Sequence, residues 1–194
     1  MKQEHDEYLC KTYPKMFVNR HADMRTTAMC WGFECGDGWY NIIASLCANI
    51  QHHIDWKRKQ RYDTLTFNRR LRKAIDQNSI DPLISHLTNP SQWMIDDAKE
   101  NLANKKFRVV SEKVSQVVVD QVKEKFGTLR FYYHGGDDAV SGMVRMAESM
   151  SAVTCEECGN LGSQRHGGWI RTLCDTHEEQ RQLKYKERLD NEQA

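Results

Sequence analysis

Two pairs of potential metal ligands lie close together near the end of this chain. The segment CEECGNLGSQRHGGWIRTLCDTH has the spacing Cys155-x2-Cys158-x15-Cys174-x2-His177. A Cys-x2-Cys turn directs both sulfur atoms to the same side, and two pairs supply the four ligands of one tetrahedral ion. Thiolates with one imidazole favour Zn²⁺ over harder cations. The spacing therefore predicts a single Zn²⁺ site formed by Cys155, Cys158, Cys174 and His177.

The residues between the two pairs predict a particular small fold. Gly159 allows the chain to fold back after the first pair, and GWIRTL reads as a strand that ends at Cys174. The second pair can begin a helix that includes His177. A knuckle, a hairpin and ligands at a helix start form a treble-clef zinc finger, and four protein ligands leave no open position for catalysis. We predict a structural ion that stabilises a small C-terminal subdomain, and no catalytic residues.

The rest of the chain predicts an α+β fold. Apolar residues that share one face indicate helices at about residues 39–60 and 64–77. A short helix is expected at residues 4–17, and Pro82 and Pro90 suit the first turns of two more, at about 81–87 and 90–104. β-Branched and aromatic residues then predict a β-hairpin from segments 115–122 and 128–134, with a short strand near 27–31 earlier in the chain.

Acidic residues mark the expected starts of two helices. Asp37 is placed to cap the helix that follows it, and Asp137 and Asp138 suit the start of a helix that covers the hairpin. A polar helix closes the chain after His177. Three segments are expected, namely a mainly helical region at 1–110, the hairpin with its covering helix at 111–151, and the zinc finger with the C-terminal helix at 152–194.

Composition limits the classes of function. The 194 residues carry 28 Lys and Arg against 27 Asp and Glu, a net charge of +1, which argues against a dedicated DNA-coating protein. No apolar stretch is long enough to span a membrane, and no apolar leader segment is apparent, so we expect a cytoplasmic protein. In that compartment thiols stay reduced, and seven cysteines, an odd number, suit metal binding better than a disulfide framework.

One stretch of the chain is strongly basic. WKRKQRYDTLTFNRRLRK, residues 56–73, contains eight basic residues, Lys57, Arg58, Lys59, Arg61, Arg69, Arg70, Arg72 and Lys73. Trp56, Tyr62 and Phe67 lie between them, and this pattern could contact phosphates and stack on bases. The commoner alternative is a solvated helix face whose aromatic residues belong to the core. A DNA- or RNA-binding regulator that uses this stretch and the finger is therefore one alternative function.

The segment MCWGFECGDGW, residues 29–39, allows several interpretations. Trp31, Phe33 and Trp39 with three glycines could form a partner surface, or a pocket for a small-molecule binder or an enzyme. A tightly packed loop is the favoured reading. Cys30 and Cys35 could belong to a second metal site, although such cysteines are more often buried apolar residues.

The finger segment resembles the C-terminal zinc finger of the DksA/TraR family, in which a Cys-x2-Cys-Gly knuckle precedes a second ligand pair. The likeness covers only this short segment. That family also carries a long helical hairpin with an acidic tip, which acts in the secondary channel of RNA polymerase. No equivalent hairpin is found in this sequence, so the resemblance implies the finger but not the polymerase role.

A wider resemblance connects the chain to uncharacterised proteins of tailed phages and prophages. The blocks that carry it are RTTAMCWGFECGDGW (25–39), QVKEKFGTLRFYYHGGDD (121–138), GMVRMAESMSAVTCEECG (142–159) and GWIRTLCDTH (168–177). The resemblance implies an accessory phage protein that works in a bacterial cytoplasm and binds or inhibits a host or defence macromolecule. We therefore expect a non-enzymatic binding protein, with a protein target favoured over nucleic acid because the net charge is balanced. The sequence predicts no oligomeric state.

Overall fold

The chain folds into two compact units. The computed structural model describes residues 1–192 and has the expected α+β class. The first unit contains Met1–Ile54 and the part of the chain from Ser115 onward, and the second contains Asp55–Val114. The segments 1–110, 111–151 and 152–194 follow changes in local composition, and they stay a prediction.

Most of the strands and helices belong to the first unit. In chain order they are α1 (Gln3–Thr12), β1 (Phe33–Glu34), β2 (Ser115–Lys125), β3 (Thr128–Gly136), α5 (Asp138–Ser151), β4 (Ser163–Arg165), β5 (Arg171–Leu173) and α6 (Asp175–Glu192). Helix α2 (Tyr40–Gln77) begins in this unit and ends in the second, which also contains α3 (Asp81–Ile84) and α4 (Gln92–Ala103). The predicted C-terminal helix includes two residues, 193 and 194, that lie outside the described part.

The predicted β-hairpin is confirmed and is longer than expected. Strands β2 and β3 pair antiparallel from Ser115 to Gly136, and the turn is formed by Phe126 and Gly127, both with positive φ angles of 54° and 77°. A two-residue turn of this hand matches the twist of the paired strands. On the other side of β2, the short strand β1 pairs parallel, so the sheet order is β1-β2-β3.

Helix α5 covers the hairpin, as the sequence predicted. Its apolar residues Val140, Val144 and Ala147 are buried. Two side chains of α5 also satisfy outward-facing amides of the edge strand β3, because Leu129 N–H donates to Ser151 Oγ at 2.8 Å and Phe131 N–H donates to a Glu148 carboxylate oxygen at 3.1 Å. These two amides are therefore not available for pairing with another strand.

The two long helices predicted at 39–60 and 64–77 are in fact one, α2. No glycine or proline occurs between them, and Lys59 forms an ion pair with Asp63 across one turn, with Nζ and Oδ2 2.9 Å apart. Asp37 does not cap this helix. Its carboxylate instead accepts a hydrogen bond from Lys2 N–H at 3.0 Å and lies 2.8 Å from His5 Nδ1, so it holds α1 in place.

Several predicted boundaries also shift. Helix α1 ends at Thr12 rather than near residue 17, because Pro14 disfavours helical geometry at Tyr13. The strand expected near 27–31 is a 3₁₀ turn at Met29–Trp31, and the strand follows it. In the second unit α3 and α4 are shorter than predicted, since turns follow Ile84 and Ser91 caps α4.

Each unit has its own apolar core. The second unit is built around Leu71, Ala74, Leu83 and Ala98, with Phe67 and other half-buried residues packed against them. The core of the first unit includes residues from α1, α2 and both long hairpin strands, with the fully buried side chains of Leu9, Trp39, Ile43, Ile50, Ile54, Val117, Val119 and Leu129.

Candidate metal centre and its docking loop

The four predicted ligands lie together in the structure. All four ligand atoms are within 4.8 Å of one another. His177 Nδ1 lies 3.6 Å from Cys155 Sγ and 3.1 Å from Cys174 Sγ, and the sulfur atoms of Cys158 and Cys174 are 3.9 Å apart. A tetrahedral Zn²⁺ with ordinary bond lengths would place its ligand atoms about 3.6–3.8 Å apart. The cluster therefore fits a single metal ion.

Local structure brings these residues together in the expected order. Cys155 and Cys158 lie on a turn that follows α5, and an isolated bridge between Thr154 and Leu161 closes this turn. The β4–β5 hairpin then returns the chain to Cys174. His177 follows in the first turn of α6. Knuckle, hairpin and helix thus occur as the ligand spacing predicted.

The knuckle favours a thiolate at its buried cysteine. Burial raises the pKa of Cys155, but backbone N–H groups of Cys174, Cys158 and Glu157 stabilise the anion, so the pKa falls to about 7. Metal ligation requires the thiolate form, which these amides stabilise before any ion binds.

A glycine-rich segment of the first unit, residues 36–39, packs against the turn that carries Cys155 and Cys158. The segment is named the docking loop, and the turn is the knuckle. Gly38 N–H donates to the Glu156 carbonyl at 2.8 Å, and Gly36 N–H donates to the Glu156 carboxylate at 2.9 Å. Trp39 Nε1–H donates to the Thr154 carbonyl, also at 2.8 Å. These three contacts join segments that are about 115–120 residues apart in the sequence.

The glycines of this docking loop are required by the close approach of the two segments. A Cβ atom at Gly36 would lie 2.2 Å from the Glu156 carbonyl oxygen, and one at Gly38 would lie 2.2 Å from the Cys155 carbonyl oxygen. Real Cβ atoms essentially never come this close to a backbone oxygen, so any side chain would push the knuckle away. This packing explains why residues 36 and 38 are glycines.

Glu156 connects the docking loop to the finger hairpin. Its side chain is almost fully buried, and it accepts hydrogen bonds from Gly36 N–H and from Arg171, whose Nε and Nη2 lie 3.1 and 3.0 Å away. A buried carboxylate requires partners of this kind to offset its lost hydration. Arg171 also bonds Glu157, at 2.7 Å. Sequence reasoning assigned no role to Glu156 and considered Gly36 and Gly38 only as part of a packed loop, a partner surface or a pocket, although the Gly-x-Gly-Trp pattern was a visible signal.

The structure separates the three aromatic residues proposed as a surface or pocket. Phe33 and Trp39 are 6% and 0% exposed and belong to the core, so they are not available to a partner. Trp31 is 62% exposed. The favoured reading of residues 29–39, a tightly packed loop, agrees with this placement.

The remaining cysteines form no second cluster within residues 1–192. The only group of three or more potential ligands found close together there is the C-terminal one. Cys35 and Cys47 are buried, and burial raises the pKa of Cys35 to about 12 and also raises the pKa of Cys47. Both are therefore neutral thiols that fill the core. His53 has a different partner, with its Nε2 2.9 Å from an Asp137 carboxylate oxygen.

The basic stretch is divided between different faces of α2. Arg61 donates to the Ser111 carbonyl, and the Arg72 guanidinium lies 5.9 Å from the Phe107 ring centroid, so both residues hold the extended segment that follows α4. Lys57 and Arg58 lie at the start of the stretch, and the Lys57 ammonium is 5.8 Å from the Trp56 ring. Helical spacing places the other four, Lys59, Arg69, Arg70 and Lys73, on one further face.

A membrane span is not supported by any described helix, because none combines the necessary length and apolarity.

The chain matches no protein-family model, no curated protein and no solved structure.

Proposed function

We propose that Cys155, Cys158, Cys174 and His177 bind one Zn²⁺ whose role is structural. The observation that supports this is the closed set of four protein ligand atoms, all within 4.8 Å of one another. Three thiolates and one imidazole form a donor set that Zn²⁺ prefers, and a filled tetrahedral shell leaves no position for a substrate. When bound, the ion would link the knuckle, the end of β5 and the start of α6.

The contacts around the knuckle indicate what this ion would stabilise. The Glu156 and Thr154 carbonyls that the docking loop uses flank Cys155, so the ion would hold those acceptors in place. The finger itself buries few side chains, among them Cys155, Glu156, Thr172 and Leu173. A ligand cross-link can replace the core that so small an element lacks.

Metal analysis of the purified protein tests the assignment. We expect one zinc per chain, and we expect Cys158→Ser to lose the metal and to unfold about the last 40 residues, because structural zinc supplies folding free energy. Cys10→Ser is the matched control, since Cys10 lies in α1, outside the cluster, and a serine can keep its hydrogen bond to Asp6. Retained zinc and an unchanged melting curve in Cys158→Ser would contradict the proposal.

We further propose that the chain is a phage-type accessory protein that engages or inhibits a host or defence protein in a bacterial cytoplasm, without catalysing a reaction. The sequence resemblance supports this, and so does an apolar groove of about 340 Å³ between α2 and α5. Met143, Met146 and Met150 line it together with Ile42 and Leu46. None of the nine described residues that line the groove is charged. Methionine side chains adapt to the shape of a partner.

The groove favours one kind of partner. It lies between two helices and is apolar, and Met146 and Met150 are 65% and 46% exposed. An amphipathic helix of the partner protein could lay its apolar face there, since helices bind in grooves through residues spaced three and four apart. The absence of charge along the described lining predicts that the buried face of that helix is uncharged too.

Differential capture from a bacterial lysate tests the groove. We expect Met146→Lys to lose a protein that the wild type captures, because a charge would have to be buried against the partner. Met24→Lys is the matched control, since Met24 is 61% exposed outside the groove and should capture the same protein as the wild type. Equal capture by Met146→Lys, followed by equal affinity for the purified partner, would contradict a role for this groove.

A further inference from the structure

The net charge of the chain is small because its two units carry net charges of opposite sign. The second unit, Asp55–Val114, contains thirteen Lys and Arg against eight Asp and Glu, a net charge of +5. The remainder of the chain then has a net charge of −4. A balanced total therefore does not argue against nucleic-acid binding by the second unit, because such binding depends on local charge.

The second unit also contains a groove with exposed aromatic residues. Its volume is about 480 Å³, and its lining includes Tyr62 and Arg70 from α2, His86, Trp93 from α4, and Arg108. Trp93 is 72% exposed and Tyr62 is 68% exposed. Large aromatic side chains that are exposed beside a concave surface mark a binding site more often than isolated ones do.

Cationic groups border these aromatic residues. The Arg108 guanidinium lies 3.8 Å from the Phe67 ring centroid, which holds it beside the groove. Partial desolvation and the nearby charge of Arg70 both lower the pKa of His86, so its imidazole is protonated less readily than an ordinary one. Arg69 and Lys73 lie on the same face of α2 as Tyr62 and extend the positive surface there, and this is the basic face of α2.

Two acidic residues also line the groove, and they differ in surroundings. Asp63 is paired with Lys59, with Oδ2 and Nζ 2.9 Å apart, so its charge is offset. Asp97 is the second carboxylate in the lining. Its charge would repel a phosphate. Removing that charge should therefore raise the affinity for nucleic acid, whereas the other substitutions in the groove should lower it.

We propose that the second unit binds single-stranded nucleic acid, with unpaired bases stacked on Trp93 and Tyr62 and phosphates held by Arg70, Arg108 and the basic face of α2. Stacking on aromatic side chains requires bases that are not paired in a duplex, and arginine and lysine neutralise the backbone. This activity goes beyond the proposed zinc finger and the apolar groove, and it depends on neither.

Fluorescence anisotropy of the full-length zinc-loaded protein tests the proposal. The probes are labelled 15-mers of single-stranded DNA and RNA and a duplex of the same length. We expect saturable binding of single strands, weaker binding of duplex, and an affinity that falls roughly 20- to 50-fold between 50 and 200 mM salt for three or four phosphate contacts. A preference for RNA or DNA would show whether the 2′-hydroxyl is read, and either preference supports the proposal.

Substitutions locate the site. We expect Trp93→Ala to weaken binding roughly five- to 100-fold, while Trp93→Phe keeps most of the affinity because it can still stack. Trp169→Ala removes an equally exposed indole, at 71%, from the finger and should not change the affinity. Arg70→Glu should weaken binding far more than Lys11→Glu, which alters the net charge by the same amount from α1. Asp97→Asn should strengthen binding.

Four results would overturn the proposal. The first is no saturable binding at 50 mM salt, and the second is duplex bound as tightly as single strands. The third is an equal loss in Arg70→Glu and Lys11→Glu, which would indicate general charge attraction rather than a site. The fourth is unchanged affinity in Trp93→Ala with an unchanged melting temperature, which would exclude stacking in the groove.

Discussion

Gly36 and Gly38 show how a single hydrogen atom in place of a side chain can decide where two distant segments meet. The backbone angles at these two positions do not require glycine. Gly36 has an ordinary φ of −67°, and neither position has the positive φ at which side chains are strained. Both need it because the knuckle approaches to within 2.2 Å of where a Cβ would lie. Sterics across the docking loop, rather than turn geometry, therefore determine these two positions.

Gly38→Ala is expected to destabilise the protein by about 2–3 kcal/mol, because the new methyl group must displace the backbone at Cys155. It should also weaken zinc retention, since the displaced carbonyl belongs to a proposed ligand. Urea unfolding of the zinc-loaded protein measures the first effect, and a chelator competition measures the second.

Gly142→Ala is the matched control for that substitution. Gly142 lies inside α5, and a Cβ added there would meet nothing within 4 Å. We expect this variant to gain about 0.5–1 kcal/mol, because alanine is the better helix former. If Gly38→Ala were as stable as Gly142→Ala, the close approach would not be the reason for glycine at the docking loop.

Among the elements, the hairpin was predictable and the long helix was not. The hairpin has local signals, namely β-branched residues on both strands and Gly127 at the turn, and such signals need no knowledge of the rest of the chain. Helix α2 has an apolar pattern that stops after Ile54 and resumes on a different side at Phe67. The interruption looked like a helix end, but it marks the point where the helix passes from one unit's core to the other's.

The finger illustrates the same contrast within one element. Its ligands were predictable because the spacing of two pairs is a property of the local sequence. Its supports were not, because Gly36 and Glu156 are 120 residues apart and no local pattern connects them. Sequence reasoning therefore identified the ligand cluster and favoured a tightly packed loop at residues 29–39, but it did not identify the knuckle as the segment that this loop contacts.

For the whole molecule, averaging over the chain obscured the distribution of charge. The net charge of +1 argued against nucleic acid, whereas the fold collects a net charge of +5 in the second unit. The boundary at Ile54 lies inside a helix, where no linker composition signals it. Only the tertiary contacts reveal which charges share a unit.

The division into units makes a prediction about metal removal. All four proposed ligands belong to the first unit, and the second has a separate apolar core around Leu71, Ala74 and Leu83. We expect a chelator to increase amide hydrogen exchange in the finger and at Gly38, whose N–H bonds the Glu156 carbonyl, because the knuckle loses its cross-link. Exchange in the core of the second unit should stay slow.

Hydrogen exchange followed by mass spectrometry resolves both regions in one experiment. Peptides that cover residues 36–39 and 152–177 report on the docking loop and the finger, and peptides from α2 beyond Phe67 report on the second unit. Added Zn²⁺ should restore protection in the first two, since the change is a binding equilibrium. Unchanged exchange in the finger would mean that the ion is not structural. Equal loss of protection in both units would mean that the ion stabilises the whole chain, so the two units would form one cooperative structure instead of separate ones.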